Sequence, residues 1–558
     1  MAVQDKLNFK NIGAGLEKMS DLINFGFYLD LLERFKHLKY REFPLVYFLN
    51  IQPFFNIINE KRKTISNRQL ELVLKNKINE KKELQIKFDQ ITQLREKPSN
   101  FYKKGKVALY DELNLRFTDN VYLEYFDPET TVIVRTATEN KEFLEIPIHN
   151  LENDTFDNVE LNTEIEEKAR RLFLSFKDHP IFGHRPFQAK FFQRIRYVIS
   201  WIGPIIKFFE KMDISCLVVG GAADEISRML ILIGASKGIP SVCLQHGMMS
   251  DNRGWVPTIA SKDAVYGIHE KEFLMSWGVP SDCIEITGHP KYDRIFTESH
   301  MSKMDFCKIT GISPYLKTVL IATQPGLWSI SRLREIIKYL NDYKIGVIIK
   351  PHPTEIRRGS FIAYKALENK IVKVVESEIH LHDIIQNVNV VCVDYSTVGL
   401  EAALLGKPVV YATNKVHDGA NYSYTKYLAV PNLKKLAYII RCLIVNRFEE
   451  KNITDYRVKV QEYKNSLVYK AYPEQLAGKN LSDLIYKLSG IKSYIPKKEL
   501  SDGMMIKGSS EKVYLIQNGM KRQIQDHGVF TRLALDMKNV HIFDDDFIKK
   551  IPSGIVLS

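Results

Sequence analysis

Short apolar segments alternate with helical segments in two stretches of this sequence. The first stretch, residues 216–247, reads CLVVGG, then the helical AADEISRMLILIGASKG, then SVCLQHG. The second begins with TVLIATQP at Thr318, continues through IGVIIKPHP, IVKVVE, VNVVCVDYS and KPVVYAT, and ends near residue 430. Short β-branched runs are typical of buried parallel strands, and their alternation with helices indicates a doubly wound sheet. The sequence therefore predicts an α/β protein with two Rossmann-like parallel-sheet halves.

Length and composition set the number of domains. A chain of 558 residues is too long for one core and predicts two to four domains, and 45% hydrophobic residues are typical of globular proteins. Asn518–Gly519, between apolar segments, is a strong hairpin signal. We expect a helical basic N-terminal region at 1–105, a first Rossmann-like half at 106–300, a second Rossmann-like half with terminal helices at 315–490, a linker at 488–503 and a small β-rich module at 503–558.

The cysteines and the apolar segments indicate the compartment. Six cysteines occur with no close pair, a pattern that predicts a reducing environment and no zinc cluster. The N-terminus lacks the order of a signal peptide, and the most apolar stretch, Tyr197–Phe209, is interrupted by Pro204 and Lys207. We therefore expect a cytoplasmic protein without a membrane span.

The net charge of +13 has two interpretations that both stay open. Much of it lies between Lys61 and Lys106, where it would suit an enzyme whose acceptor is a lipid-linked glycan at the anionic inner face of the cell membrane. A solvated, exposed lysine-rich helix explains it equally well. Nucleic acid is not an expected partner, because aromatic residues are not interleaved with the basic ones.

Polar residues follow two predicted strands of the second stretch, in IKPHPTE and VDYSTVGLEAALLGKPVVY. Ligands of open α/β sheets bind at the carboxyl ends of the strands, where Lys350 and His352 can meet phosphate oxygens. Ser396 and Thr397 open a helix whose N-terminus favours an anion. Glu401, roughly one turn further, can accept the vicinal hydroxyls of a ribose. The pattern predicts a nucleotide-diphosphate site, although a solvated Glu401 and a simple turn at His352 are the alternative.

Several motifs resemble a known superfamily. The segment DAVYGIHEKEFLMSWGVPSDCIEITGHPKYDRIF resembles part of the UDP-N-acetylglucosamine 2-epimerase superfamily. Gln245–Gly247, Lys350–Pro353 and DYSTVGLEAALLGKPVV are similar to motifs of its bacterial capsule and teichoic acid transferases, which include CDP-glycerol glycerophosphotransferases. The resemblance covers roughly residues 210–430. It implies the GT-B architecture, with the donor nucleotide on the C-terminal half and the acceptor approaching from the N-terminal half.

The resemblance also implies roles for individual residues. Thr323 and Gln324, in the first βα loop of the second half, are placed where such enzymes contact the diphosphate. His352 is placed like the histidine that binds the donor phosphate. Ser396–Thr397 and Glu401 occupy the positions of the phosphate-binding hydroxyls and of the ribose-binding glutamate.

Three residues of the first half are candidates for proton transfer. His246 has an intrinsic pKa near 6.5, which suits a general base for the acceptor hydroxyl, but it could also only hydrogen-bond the loop after its strand. Asp224 or Glu225 could be the base instead, or could orient His246. A carboxylate at a helix start is also simply a favourable partner of the helix dipole. His289, in TGHP, is expected to be structural or at the rim of the cleft.

No metal or other cofactor is expected. His380 and His382 should point to different faces of a helix, with no third ligand near in sequence. The charge that develops on a departing diphosphate would instead be neutralised by Lys350, His352 and the helix start at Ser396–Thr397.

These features predict a metal-independent glycosyltransferase of bacterial surface polysaccharide synthesis. It would move a sugar from a nucleotide sugar (UDP-, CDP- or CMP-linked) to a glycan or lipid-linked acceptor. A CDP-glycerol-type transferase of polyol phosphate, a hydrolysing UDP-sugar 2-epimerase and a noncatalytic glycan-binding scaffold are the alternatives. The epimerase is disfavoured because Gln245–Gly247 stands where that family places a glutamate.

Overall fold

A computed structural model describes residues 21–93, 105–249, 254–412, 430–445, 458–491 and 502–557, apart from single positions 113, 155, 377, 395, 459, 519, 534, 536, 538, 539 and 544. The described residues fall into two compact units. The first lies within residues 1–121 and 128–492, and the second within residues 122–127 and 493–558. Most of the linker predicted at 488–503 lies outside the described residues.

The first half of the large unit is built on an eight-stranded sheet. After a short antiparallel ribbon of β1 (Lys39–Tyr40) and β2 (Phe43–Pro44), the sheet contains β3 (Lys106–Tyr110), β4 (Thr131–Arg135), β5 (Glu142–Phe143), β6 (Ile146–Asn150), β7 (Ile214–Val219), β8 (Ser241–Leu244), β9 (Lys262–Val265) and β10 (Ile284–Ile286). The strand order is β10-β9-β8-β7-β3-β4-β6-β5, and every pairing is parallel except that of the edge strand β5 with β6. All six residues of β7 are buried, as expected for a strand covered on both faces.

The second half is built on a five-stranded, entirely parallel sheet. Its strands are β11 (Thr318–Ala322), β12 (Gly346–Lys350), β13 (Val372–Val374), β14 (Val390–Val393) and β15 (Val409–Tyr411), in the order β13-β12-β11-β14-β15. Leu333, Ile336 and Leu340 of the predicted helix after β11 are buried against the sheet. The predicted fold class, two Rossmann-like halves in a GT-B arrangement, is confirmed.

Helices cover both sheets. In the N-terminal region they are 21–35, Gln52–Lys61, Asn67–Val73 and Glu83–Thr92. The first half adds Asp119–Tyr125, Val159–Leu174, Arg185–Lys211, Glu225–Ser236, Ile268–Ser276, Arg294–Thr297 and Lys303–Thr310. The second half adds Ile330–Asp342, Pro353–Arg357, Ile362–Lys365, Leu381–Asn387, Val398–Leu404 and Leu433–Val445. The last helices of the large unit are 460–465 and Ala477–Ser489. None of the described helices is long and apolar enough to cross a membrane.

The N-terminal region is part of the core of the first half. The ring of Phe35, which is fully buried, lies 4.9 Å from that of Phe173 and 5.1 Å from that of Phe191. The buried guanidinium of Arg228 donates to the hydroxyl of Tyr28 and to the carbonyl of Tyr47, each at 3.1 Å. These contacts join the N-terminal helices to the sheet-covering helix Glu225–Ser236.

The expectation of one exposed, lysine-rich helix in this region is wrong. The stretch forms two shorter helices, Asn67–Val73 and Glu83–Thr92, separated by turns. Leu84 and Phe88, one turn apart on the second helix, are buried in the core, as is Leu70 on the first. Their apolar spacing pulls these helices onto the first half, whereas Leu72 and Ile86 stay exposed with the charged residues.

The chain returns to the first half near the end of the large unit. The hydroxyl of Tyr469 donates to the carbonyl of His289 at 2.5 Å. The carboxylate of Asp293 accepts the backbone N–H groups of Ala477 and Gly478, at 3.0 and 2.7 Å, where the helix Ala477–Ser489 begins. This helix therefore packs on the first half, although the sequence groups it with the second.

The small unit contains a four-stranded sheet. Its strands are β16 (Met505–Lys507), β17 (Val513–Gln517), β18 (Met520–Gln523) and β19 (Val540–Ile542), in the order β18-β17-β16-β19, with helices His527–Arg532 and Asp545–Lys550. β17 and β18 form the predicted hairpin, in which Gln517 pairs with Met520. Asn518 has φ of 51°, which suits the two-residue turn.

Replacing Phe35 by alanine should destabilise the large unit. Loss of a fully buried ring leaves a cavity and costs about 3–5 kcal/mol of unfolding free energy. Leu72→Ala, at a side chain 73% exposed on a neighbouring helix, should change it by less than about 0.5 kcal/mol. Denaturant unfolding measures both, and equal effects would show that helix 21–35 does not belong to the core.

Candidate active site

Loops that follow strands of both sheets carry charged groups that act on one another. Arg116, after β3, and Lys291, after β10, come from the first half, whereas His352, after β12, and Glu401, after β14, come from the second. Burial lowers the pKa of His352, Glu355 opposes this, and the positive charge of Arg116 adds to it. The charge of Glu401 in turn acts on Lys291. We use "the cleft" for the space between these four residues and His246.

His352 is fixed as the N-cap of the helix Pro353–Arg357. Its Nδ1 accepts the backbone N–H of Thr354 at 3.1 Å, and its own backbone N–H donates to Glu355 Oε2 at 2.9 Å. This reciprocal pair is a capping box, with histidine in the place of the usual serine or threonine. Because Nδ1 accepts, the neutral ring carries its proton on Nε2, which is then a donor for a ligand.

Glu355 joins the two loops of the expected diphosphate site, a role that the sequence did not reveal. Its buried carboxylate accepts the hydroxyl of Thr323 at 2.5 Å and that of Tyr364 at 2.8 Å, besides the His352 N–H. The backbone N–H of Thr323 donates to the Lys350 carbonyl at 3.0 Å. The Thr323 side chain therefore holds the loop, and half-buried Gln324 follows it at the strand end.

Lys350 is also placed at the end of its strand. Its Nζ donates to the carbonyl of Ile379 at 3.4 Å, in the loop after β13. Burial lowers the pKa of Lys350, and the nearby Glu378 and Glu376 oppose that shift. In this arrangement the ammonium is directed toward the β13 loop, and its predicted contact with phosphate stays a prediction.

Arg332 fixes Asp394, the first residue of the DYST segment. Arg332 pairs with Asp394 at 3.2 Å and stacks on the ring of Trp328, 4.2 Å from the centroid. Burial raises the pKa of Asp394 to about 6, and Arg332 opposes the rise. The Ser396 hydroxyl accepts the N–H of Val398 at 3.3 Å.

Thr397 stands at the N-cap of the helix Val398–Leu404 but makes no side-chain capping bond. The residue is half-buried and lies at the strand end beside Ser396. The predicted phosphate contacts of Ser396 and Thr397 stay predictions.

Glu401 has a partner that the sequence did not indicate. Its Oε2 bonds Nε2 of His382 at 2.9 Å, and both side chains are buried. His380 caps the helix Leu381–Asn387 by accepting the N–H of His382 at 3.2 Å. Both histidines thus have protein partners. Within the described ranges, no three histidine, cysteine, aspartate or glutamate side chains are grouped as a metal site.

His246 follows β8 and lies in the cleft. Its ring stacks on Trp255 at a centroid distance of 4.8 Å, and its buried Nδ1 has no well-formed hydrogen bond. Burial lowers the pKa of His246 to about 4; Arg116 and Lys291 add to the shift, and the Gly220 backbone opposes it. The ring is therefore neutral near pH 7 and can accept a proton, but a pKa this far below 7 makes it a weaker base than a histidine with the ordinary pKa near 6.5.

Asp224 and Glu225 have structural partners. Asp224 caps its helix by accepting the N–H and the hydroxyl of Ser227 at 2.8 and 2.7 Å. Glu225 is buried and forms a two-pronged ion pair with Arg194. Neither carboxylate is hydrogen-bonded to His246, so these contacts favour a structural role for both, and their catalytic role is an untested prediction.

Lys291 is a cation of the cleft that sequence reasoning missed. Burial lowers the pKa of Lys291 to about 8; Glu401 opposes the shift and Arg116 adds to it. The preceding His289 is fully buried and accepts the N–H of Lys291 on Nδ1 at 3.2 Å, which makes His289 structural, as the sequence suggested. The TGHPKYD motif, noted only for its resemblance, was the signal that could have identified Lys291.

Arg116 is the second missed cation. Burial is the largest cause that lowers the pKa values of His246, His289, Lys291 and His352. The charge of Arg116 lowers each of them further. Its φ of 53° lies in the left-handed region, which is uncommon for residues other than glycine and clusters at functional sites. It lies in the loop after β3, a strand that sequence reasoning did not identify.

Residues 248–439 match the model of the family described as CDP-Glycerol:Poly(glycerophosphate) glycerophosphotransferase. No curated protein matches the chain. Solved structures with similar arrangements include a UDP-GlcNAc 2-epimerase from Neisseria meningitidis bound to UDP-GlcNAc, at 15% identity over 68% of this chain and 98% of that one, with a TM-score of 0.42.

The wall teichoic acid polymerase TagF is similar at 12% identity, over 78% of this chain and 97% of its own, with a TM-score of 0.39. A glycosyltransferase from Rickettsia africae is 12% identical over 70% of this chain and 100% of its own, with a TM-score of 0.41. The family match confirms the predicted resemblance over residues 248–439, a segment that contains Lys291, His352 and Glu401.

Proposed function

We propose that this protein transfers a polyol phosphate from a CDP-linked donor to a hydroxyl group of a surface polymer or its lipid-linked precursor. The observation that carries the proposal is the cleft, where two cations of the first half, Arg116 and Lys291, lie near the phosphate-site residues His352 and Glu401 of the second. The family match over residues 248–439 supports the donor class.

The second half would bind the donor nucleotide. His352 offers Nε2–H to a phosphate oxygen, because Nδ1 is already used inside the capping box. The hydroxyls of Ser396 and Thr397 are placed at the end of the neighbouring strand. Glu401 is bonded to His382 through Oε2, which orients the carboxylate and leaves Oε1 for a ribose hydroxyl.

In the transfer step, the acceptor hydroxyl attacks the phosphorus that carries the polyol. The bond from that phosphorus to the bridging oxygen of CMP breaks, and CMP leaves. His246 takes the proton of the attacking hydroxyl, since its ring is neutral at working pH. Arg116 and Lys291 stabilise the negative charge that grows on the departing phosphate. This set of cations supports transfer without a metal ion.

Sugar transfer is the second candidate. The acceptor would then attack the anomeric carbon of a nucleotide sugar, and a nucleoside diphosphate would leave. The same cations would stabilise that leaving group, so the cleft accommodates either donor. The description of the matched family favours the polyol phosphate.

Epimerase chemistry is disfavoured by the surroundings of Gln245. The buried side-chain amide donates to the Gly247 carbonyl at 2.9 Å and accepts the N–H of Tyr266 at 2.9 Å. Gln245 thus ties two loops together where the epimerases have a glutamate. The position supplies no carboxylate for proton transfer.

For location, we propose the cytoplasm, with the acceptor presented at the inner face of the cell membrane. The support is the excess of basic residues, a net charge of +13, much of it between Lys61 and Lys106. Each lysine that lies near the membrane surface is attracted to anionic lipid by about 1 kcal/mol.

The nucleotide that is released distinguishes the candidates. With a glycerol-phosphate oligomer as acceptor and EDTA present, CDP-glycerol should yield CMP, measured by chromatography, and UDP-sugars should yield no UDP. His246→Asn should slow release about 100-fold or more. His184→Asn, a histidine at the start of Arg185–Lys211, is the matched control and should be active. Release of UDP alone would establish sugar transfer, and no release from any donor would favour a noncatalytic protein.

The pH dependence tests Lys291. Its pKa of about 8 means that the ammonium, charged below that pH, is lost as pH rises through it, so kcat/KM for the donor should fall above about pH 8. Lys291→Arg should extend activity to higher pH, because arginine stays charged. If kcat/KM falls at the same alkaline pH in both proteins, Lys291 does not bind the donor.

A further inference from the structure

A large cationic cavity lies at the edge of the second sheet opposite the donor loops. Its volume is about 770 Å³, and its lining comes from segments that precede β11, β14 and β15 together with residues 300–303. The charged or titratable lining residues are His300, Lys303, Tyr315, Lys317 and Lys407, and no carboxylate lines the cavity. We call this space the lysine cavity.

Two of the lysines are held close together. Lys303 Nζ donates to the carbonyl of Asn387 at 2.7 Å, and Lys407 Nζ donates to the carbonyl of the adjacent Gln386 at 2.7 Å. Both side chains are half-buried, whereas Lys317 is exposed at the rim. Burial lowers the pKa of Lys303, with Lys317 adding to the shift, and lowers that of Lys407, with Lys303 adding to it.

No carboxylate of the described residues forms an ion pair with any of the three lysines. The nearest acidic group on the same wall, Asp383, lies 3.6 Å from Nδ1 of His300 and accepts the N–H of Met301 at 2.9 Å. Hydrogen bonds to backbone carbonyls give Lys303 and Lys407 a structural role. They do not supply a counter-ion for the ammonium groups around the cavity, and the two that are half-buried repel each other, which destabilises the fold.

We propose that the lysine cavity is a second anion site that binds a ligand with two or more phosphate groups. Three cations exceed what a single phosphate needs, and the volume is in the range of whole small-molecule sites, roughly 300–1,000 Å³. The shared chemistry belongs to a free oligophosphate and to a phosphodiester oligomer alike. The site is separate from the donor cleft and does not depend on the function proposed above.

The test is calorimetric titration of the full chain with inorganic tripolyphosphate and, separately, with a glycerol-phosphate oligomer. His352→Ala is the background, so that the donor cleft contributes little. One binding event should remain, and Lys303→Met with Lys407→Met should weaken it about tenfold or more, which is about 1.4 kcal/mol. Lys435→Met removes one lysine charge from an exposed helix position and should leave the affinity unchanged.

Binding of either ligand supports the site if the lysine-cavity variants weaken it. The ligand that binds more tightly shows whether the site takes a free oligophosphate or a phosphodiester oligomer. Lys317→Met, at the exposed rim, provides a second variant if the double variant does not fold, and it should also weaken binding. Absence of binding in the His352→Ala background, or equal losses in the lysine-cavity and Lys435→Met variants, would overturn the proposal.

Discussion

The site depends on one interaction: positive charges of the first half act on the loops of the second half that are expected to bind phosphate. Arg116 and Lys291 belong to loops of the eight-stranded sheet. Arg116 nevertheless lowers the pKa of His352, and Glu401 opposes the lowering of the pKa of Lys291, although His352 and Glu401 belong to the five-stranded sheet. In a partly buried cleft such interactions are stronger than in water. Burial lowers the pKa of His246, and the same two charges add to the shift, so that the ring stays neutral near pH 7.

Buried partners fix the groups that face the cleft. Glu355 holds Thr323 and the His352 backbone in one network, and His382 holds Glu401. Buried hydrogen bonds of this kind restrict side chains to one arrangement. If this half binds a nucleotide as proposed, its loops are already shaped, which lowers the cost of ordering them on binding.

The sequence revealed the second half more completely than the first. β11 to β15 appear as short β-branched runs, and His352 and Glu401 could be placed from the strand ends alone. In the first half, β3, β4 and β6 went unrecognised because residues 107–150 mix apolar and polar positions without a clear period. The N-terminal helices looked exposed because their lysines obscured the stripe that contains Leu84 and Phe88.

Contacts between distant residues account for what could not be predicted. Arg116 and His352 are far apart in the sequence, and no local pattern indicates that their loops meet. The pairing of Glu401 with His382 was not predicted either. Helical spacing indicated on which face of its helix a side chain lies, but not which residue it contacts. Such pairings follow from how two sheets pack, which periodicity does not specify.

The most direct test of the shared cleft is a double-mutant cycle on CDP binding, with EDTA present, for Arg116→Gln and His352→Gln. Both side chains are expected to contact the same diphosphate, so each single change should weaken binding about tenfold. The double variant should then depart from additivity by about 1 kcal/mol, as for residues that share a ligand. Additive effects, or no loss from Arg116→Gln, would show that the first half does not contribute to the donor site.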